Sequence, residues 1–170
     1  MAGEAARKDI TIRRIQEGDT RLFQEFFGGL SEKTLYFFTP HNLDKGYLAD
    51  MVENISKDKD SIRFMACTGE GAEEKMVGYV FYFDWSKKVP TLGIGIRDDF
   101  QGMGLGAVLM EHIIHVAKEH GKSAVLLKTK QDNFRAQSLY KKFGFQFLGI
   151  DHGGEFIMLL NFADDFAGKA

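Results

Sequence analysis

Hydrophobic and polar residues alternate with two different periods along the chain, and the first third has the period of an amphipathic helix. After a short strand-like run over Asp9–Ile15, apolar residues recur at the spacing of a buried helix face. The predicted helices begin at Asp19 or Thr20, at Ser31 and near Leu43, and they end at Gly28, at Phe37 or Phe38 and at Ile55. This part of the chain is therefore predicted to be strand, helix, helix, helix.

From residue 61 onward the pattern favours strands, interrupted by two helices. The predicted strands cover Ser61–Thr68, Met76–Trp85, Thr91–Arg97, Ser123–Thr129, Phe145–Ile150 and Glu155–Asn161. One helix follows the glycine-rich segment Gln101–Gly106 and ends at Gly121, and the other covers Asn133–Phe143. This order predicts one α/β (α+β) domain over residues 9–170, a mixed sheet flanked by helices, after a disordered segment over residues 1–8.

The composition of the chain excludes some classes of protein. The 170 residues carry a net charge of −2, which gives no long-range attraction to nucleic acid or to an anionic membrane surface. The single cysteine, Cys67, cannot form an internal disulfide and indicates a reducing compartment. No secretory leader and no apolar run long enough to span a bilayer are evident, so a cytoplasmic location is expected.

The segment Gln101–Gly106 carries the first chemical signal. Glycines at the start of a helix let a ligand approach unpaired N–H groups, which favours a phosphate. A Walker A loop is excluded because the segment contains Gly-Leu-Gly where Gly-Lys-Ser/Thr is needed. Gly102, Gly104 and Ala107 fit the dinucleotide fingerprint, but five residues separate them from the strand. The next strand also ends in Lys-Thr-Lys rather than in an acid.

Two blocks together resemble the GNAT superfamily of acyltransferases. Gln101–Gly106 resembles its pyrophosphate signature Q/R-x-x-G-x-G/A, and Leu92–Ile96 looks like its fourth strand. Asn133–Phe145 resembles its N-x-x-A-x-x-x-Y-x-x-x-G-F pattern. The resemblance extends over residues 61–147, and the first 60 residues match only as a generic strand and helices. It implies a mostly antiparallel sheet of about seven strands that splays between strands 4 and 5.

The resemblance implies a binding site for acetyl-CoA, the acyl donor. The pantetheine arm would pair with the backbone of strand 4 as an added strand, and the pyrophosphate would lie on the glycine-rich segment. The implied cofactor-binding residues are Ile94, Gly95, Ile96, Gln101, Gly102, Met103, Gly104, Leu105, Gly106, Asn133, Ala136 and Tyr140. Whether Arg135 also binds the 3′-phosphate of coenzyme A is left open.

The same resemblance assigns Tyr140 as the general acid that protonates the leaving thiolate, and an N–H near Ile96 as the donor to the acyl oxygen. Many family members have a glutamate in strand 4 as the base, whereas Thr91–Ile96 contains no acid. Asp84 and His41 are therefore tentative bases, with a chain of water as the alternative. His112 and His115 lack a third ligand, so no metal is expected.

The predicted function is transfer of an acetyl group from acetyl-CoA to a primary amine, carried by a small molecule or a protein. Tyr36, Phe37, Phe38 and His41 would line the acceptor pocket. Three alternatives remain open: an acyl-CoA sensor without activity, a nucleotide-dependent oxidoreductase, and a CoA-binding scaffold. No nucleic acid or membrane partner is expected, and a homodimer is typical of the family.

Overall fold

The computed structural model describes residues 9–163. The predicted disorder of residues 1–8 and the end of the predicted domain lie outside that range. The strands are β1 (Thr11–Arg14), β2 (Ser61–Thr68), β3 (Lys75–Phe83), β4 (Thr91–Ile96), β5 (Ala124–Thr129), β6 (Gln146–Ile150) and β7 (Phe156–Asn161). The α-helices are α1 (Thr20–Gly28), α2 (Glu32–Phe37), α3 (Lys45–Glu53), α4 (Leu105–Glu119) and α5 (Phe134–Lys142).

The seven strands form one sheet in the order β1-β2-β3-β4-β5-β7-β6. Every neighbouring pair is antiparallel except β4 and β5, which run parallel because α4 connects them. This confirms the predicted mixed, mostly antiparallel sheet of about seven strands flanked by helices. Within residues 9–163, no helix has the length and apolarity that crossing a membrane requires.

Helices cover both faces of the sheet and divide the core into two layers. On one face, Phe23 and Phe26 of α1 are fully buried against Tyr79 of β3. On the other face, Leu109 and Ile113 of α4 are fully buried against the sheet. Phenylalanines contribute to both layers, and in the first they fill the space beneath short helices with large aromatic rings.

The ends of some elements differ from the prediction for local reasons. β3 ends at Phe83 rather than Trp85, because Asp84 has a φ of 54° and turns the chain out of the strand. Asp19 lies at the N-cap of α1 without capping it, since its carboxylate accepts from the Arg13 guanidinium at 2.7 Å. The third helix is shorter than predicted, and it begins after Asp44, which accepts from the Tyr47 amide.

The sheet opens between β4 and β5. The two strands pair only at Thr91–Leu126 and Leu92–Leu127, although β4 stays paired with β3 as far as Ile96. The next four residues of β4 therefore have a partner on one side only. At about 3.3 Å per residue, this leaves a gap on the order of 13 Å deep. The splay expected between strands 4 and 5 is thus present in the fold.

Candidate active site

The edge of β4 that faces the gap presents the N–H and C=O groups of Ile94 and Ile96. The Arg97 amide donates to the Val77 carbonyl of β3 at 2.9 Å. Successive residues of a strand direct these groups to opposite sides, so Gly95 faces β3, while Ile94 and Ile96 face the gap. Of the three residues predicted to bind pantetheine through the backbone, Ile94 therefore directs both its N–H and its C=O to the gap, whereas Ile96 directs its N–H there and its carbonyl accepts from Gln101. The N–H of Gly95 is directed toward β3.

The glycines of β4 make room for aromatic rings rather than for a ligand. A Cβ at Gly93 would overlap the Phe81 ring, and a Cβ at Gly95 would overlap the Phe38 ring. Both rings lie on the α1 side of the sheet. Phe38, which was predicted to line the acceptor pocket, is thus placed directly against the strand that borders the gap.

The glycine-rich segment forms a concave backbone at the start of α4. Gly102 has a φ of 78° and Gly104 a φ of 83°, values that favour glycine. Gly104 is the N-cap of α4 and has no side chain to cap it. The first N–H groups of a helix lack partners within the helix, so those of Leu105 and Gly106 are available to an anion. The buried Leu105 side chain, by contrast, belongs to the core.

Gln101 joins three elements around this segment. Its Nε2 donates to the Ile96 carbonyl at 3.0 Å and to Thr34 Oγ1 of α2 at 3.1 Å. Its Oε1 accepts from Arg135 Nη1 of α5 at 3.2 Å. A Cβ at Gly102 would lie 3.1 Å from Arg135 Nη2, so the guanidinium lies beside the glycine-rich backbone. The structure therefore brings Arg135, which the sequence left open, to the predicted anion site.

The helix α5 carries Asn133 and Tyr140, and its Leu139 lies next to Gly106 at the start of α4. Asn133 caps the helix, with Oδ1 accepting from the Ala136 amide at 3.4 Å. Tyr140 is 7% exposed and packs on Phe145. Burial raises the pKa of its phenol, so the hydroxyl carries a proton at neutral pH. Among the described residues, that hydroxyl has no hydrogen-bond partner, which leaves its proton available.

His41 lies over β3, in a polar cluster among aromatic rings. Its Nε2 is 2.9 Å from the Tyr79 hydroxyl, which also accepts from Arg63 Nη1 at 2.8 Å. Because Arg63 is the donor to that oxygen, the Tyr79 proton can point to His41. Burial, with the Arg63 charge, lowers the pKa of His41 to about 4. His41 is therefore neutral at pH 7, but its Nε2 is already engaged, and its ring contacts are with β3 and α1.

Asp84 lies at the wrong end of β4 for a base. It follows β3, whose last residue, Phe83, pairs with Thr91 at the closed end of the β4–β5 pair. Ile96, at the open end, is five residues further on, or about 16 Å along the strand. The Asp84 carboxylate is half-exposed and pairs with Lys87 at 2.9 Å. The structure does not bring Asp84 to the gap.

Three side chains that the sequence pattern did not bring together, Tyr36, Lys130 and Asp132, lie at the open end of the gap. Tyr36 of α2 donates from its hydroxyl to Asp132 Oδ2 at 3.3 Å. Lys130 Nζ lies 4.6 Å from the centre of the Tyr36 ring. The position of Asp132 directly before the Asn133 motif was the one sequence signal that it lies near the site. Nothing in the sequence indicates that Asp132 contacts α2.

Other titratable groups lie elsewhere. His112 is half-buried against the Phe64 ring, and burial lowers its pKa. His115 is exposed and contacts Glu119. Among the described residues, no group of three or more His, Cys, Asp or Glu is arranged to hold a metal ion. A surface cavity of about 730 Å³ lies at the β1–β2 edge of the sheet, away from the gap, between Arg14 and Trp85.

A sheet that splays beside a glycine-rich helix N-terminus is the architecture of the acyltransferase class that the sequence resembles. The profile described as "Acetyltransferase (GNAT) family" matches residues 23–145. The chain belongs to the GNAT acetyltransferase family.

Relatives of known name agree with this assignment. The streptothricin acetyltransferase of Streptomyces lavendulae is 32% identical over 97 residues, which are 56% of this chain and 50% of that protein. The spermine/spermidine N(1)-acetyltransferase of Bacillus subtilis is 36% identical over 66 residues, 38% of this chain and 43% of that protein. The chain thus spans about half the length of these relatives.

Solved structures share the fold at low sequence identity. The PaiA N-acetyltransferase of Thermoplasma acidophilum, solved in complex with coenzyme A, has a TM-score of 0.72 and 18% identity, covering 89% of this chain and 98% of that chain. The ribosomal-protein-S5-alanine acetyltransferase of Vibrio fischeri has a TM-score of 0.77 and 13% identity, covering 92% and 94%. These likenesses support the fold described above.

Proposed function

We propose that this protein transfers an acetyl group from acetyl-CoA directly to a primary amine. The observation that carries the proposal is the gap between β4 and β5, which runs along the edge of β4 toward the glycine-rich backbone at the start of α4. A linear ligand with a phosphate-bearing end and an amide-containing arm fits this path. The phosphates would contact helix N–H groups, and the arm would pair with the edge of β4.

The residues present suit coenzyme A. The backbone N–H groups of Leu105 and Gly106 can hold the pyrophosphate, and Arg135 lies beside Gly102 to add a positive charge. The N–H and C=O groups of Ile94 face the gap and can pair with the pantetheine amides. Asn133 and Ala136 lie at the start of α5, and Met103 is partly exposed on the glycine-rich loop.

Chemistry would then proceed by direct attack. The neutral amine attacks the thioester carbonyl carbon, a C–N bond forms, and the carbonyl electron pair moves onto oxygen. The N–H of Ile96 faces the gap and can stabilise that charge. As the C–S bond breaks, Tyr140 donates its proton to the leaving sulfur, and the nitrogen loses a proton to water. Asp84 has no part in this scheme, and His41 as a base stays a prediction.

The acceptor is proposed to be an amine because the relatives are named for amine-containing compounds, among them streptothricin and spermine or spermidine. A cytoplasmic location and a homodimer stay predictions. The edge strand β6 does expose Phe147, Leu148 and Ile150, each more than half accessible, so light scattering of the purified protein is the appropriate check on oligomeric state.

The test is calorimetric titration with acetyl-CoA, with NADPH as the control ligand. We expect acetyl-CoA to bind with a dissociation constant on the order of micromolar, and NADPH not to bind. A screen of amines, read out as free thiol, then tests transfer. Binding without any thiol release would favour a sensor, and binding of NADPH in place of acetyl-CoA would overturn the proposal.

A further inference from the structure

Two elements from opposite sides of the gap meet at its open end. Thr34 of α2 accepts from Gln101, which also donates to the Ile96 carbonyl at the end of β4, and Thr34 donates to the Asp98 carboxylate at 2.8 Å. These bonds hold α2, which carries Tyr36, beside the end of β4. Lys130 and Asp132 follow β5 on the other side of the gap. Tyr36, Lys130 and Asp132 are called the rim below.

The rim already holds an ammonium group. Lys130 Nζ lies 4.6 Å from the centre of the Tyr36 ring, within the range of a cation–π contact. The hydroxyl of the same ring donates to the Asp132 carboxylate at 3.3 Å. The face of the Tyr36 ring thus holds one primary ammonium, and its hydroxyl holds a carboxylate, while Lys130 and Asp132 form no ion pair with each other among the described residues. The ammonium group is the flexible end of a lysine, and Tyr36 is 55% exposed, so an external ammonium can replace it.

The neighbouring charged side chain Lys128 is paired with a group outside the rim. Lys128 Nζ pairs with the Asp151 carboxylate at 2.9 Å, on the turn between β6 and β7. The Gln131 amide donates to the Gly154 carbonyl at 2.7 Å, which ties this turn to the rim loop. The charge of Lys128 is therefore balanced by Asp151, whereas Asp132 receives only the neutral Tyr36 hydroxyl among the hydrogen bonds and ion pairs of residues 9–163.

We infer that the rim is a subsite for a second ammonium group of the acceptor, which takes the place of Lys130 on the Tyr36 ring beside Asp132. This inference rests on the proposed function and specifies its substrate class: amines that carry a further primary ammonium on a flexible chain. The rim suits the group that does not react, because a carboxylate and an aromatic face stabilise the charged form. The amine that attacks the thioester must instead be neutral.

The test compares matched acceptors that differ only at the far end. Diaminoalkanes of increasing length are assayed against amino alcohols of the same length, with free thiol as the readout. For the wild-type protein we expect the best diamine to have a KM about tenfold lower than its amino alcohol, the discrimination expected of one charged contact. The kcat values should be similar, since the far end does not touch the reacting atoms.

Three variants separate the rim from general electrostatics. Asp132→Asn keeps an acceptor for the Tyr36 hydroxyl and removes the charge, so the ratio of the two KM values should approach one. Lys130→Met removes the competing ammonium, so KM for the diamine should fall while that of the amino alcohol stays unchanged. Glu119→Gln, at the other end of α4, removes the same charge and should leave the ratio unchanged.

A second readout keeps the inference testable if turnover is slow. The same diamine is titrated calorimetrically into the protein saturated with CoA, where Asp132→Asn should weaken binding about tenfold. A wild-type ratio near one, with no heat from the diamine, would overturn the rim subsite, as would an unchanged ratio in Asp132→Asn. Failure of the wild-type protein to bind acetyl-CoA would instead remove the proposed function, so the two failures are distinguishable.

Discussion

At the scale of single residues, Tyr140 is the side chain whose chemistry depends most on its surroundings. The phenol is 7% exposed, and burial keeps it protonated. We expect Tyr140→Phe to lower kcat by about 10²-fold, the lower range for loss of a general acid, while leaving acetyl-CoA affinity nearly unchanged. Steady-state kinetics and calorimetry on the same preparation measure both quantities. An unchanged kcat would remove Tyr140 as the acid.

His41 predicts a dependence of stability on pH. Its pKa is about 4 in the folded protein and near 6.5 when unfolded, so the unfolded state binds more protons between those values. Folded stability is therefore complete above about pH 6.5 and falls as the pH drops toward 4, by at most about 3 kcal/mol. Urea unfolding across this range should show less loss in His41→Gln.

The exposed His115 provides the matched comparison for that experiment. Its imidazole contacts Glu119, and its side chain is 69% accessible. The variant His115→Gln should keep the wild-type loss of stability on acidification. If His41→Gln and the wild type lost stability equally, the cluster of His41, Tyr79 and Arg63 would not be the origin of the effect.

At the scale of elements, the start of α4 combines a backbone requirement with a charge requirement. Gly104 has a φ of 83°, so any other residue there is strained. We expect Gly104→Ala to cost about 1 kcal/mol of stability and to retain weakened acetyl-CoA binding. Gly104→Glu should abolish binding, because its carboxylate would enter the site for the pyrophosphate.

Comparison of the two variants separates strain from charge. Urea unfolding gives the stability of each, and calorimetry gives the affinity of each for acetyl-CoA. Equal affinities for Gly104→Ala and Gly104→Glu would mean that the backbone conformation, rather than an anion site, explains the glycine. Retained wild-type affinity in Gly104→Glu would contradict the assignment of this helix N-terminus to phosphate.

Most elements could be predicted from the sequence because their patterns are local. The bounds of β2 agree fully with the predicted Ser61–Thr68, since a run of apolar residues there is bounded by polar ones. The prediction was wrong at the end of β3, where Asp84 takes a left-handed conformation that propensity does not favour. The splay followed only from family resemblance, because strand separation has no pattern of its own in the sequence.

The candidate site shows the same division between local and long-range signals. The glycines of the α4 start and the Asn133–Tyr140 spacing lie within single segments and were recognised there. Tyr36 and Asp132 are 96 positions apart, and neither belongs to a motif, so only the folded chain reveals their contact. The interpretation of Gly95 changes for the same reason, because its close neighbour is the Phe38 ring.

At the scale of the whole molecule, the gap divides the sheet into two parts that few strand pairs join, although one core layer beneath α4 includes residues of both. β1 to β4 form one part and β5 to β7 the other, connected by the two residue pairs between β4 and β5. A ligand that pairs with β4 and contacts α4 and α5 would bridge these parts. Binding to the folded state alone stabilises it by RT ln(1 + [L]/Kd).

We therefore expect acetyl-CoA at about 100 times its Kd to stabilise the protein by about 2.7 kcal/mol. For a chain of this size, that corresponds to an increase in Tm of roughly 5–10 °C in differential scanning calorimetry. NADPH at the same concentration should leave Tm unchanged, and so should acetyl-CoA with Gly104→Glu. An equal shift with NADPH would mean that the gap accepts nucleotides in general, since both ligands share the adenosine and phosphates but only acetyl-CoA has an arm that can pair with β4.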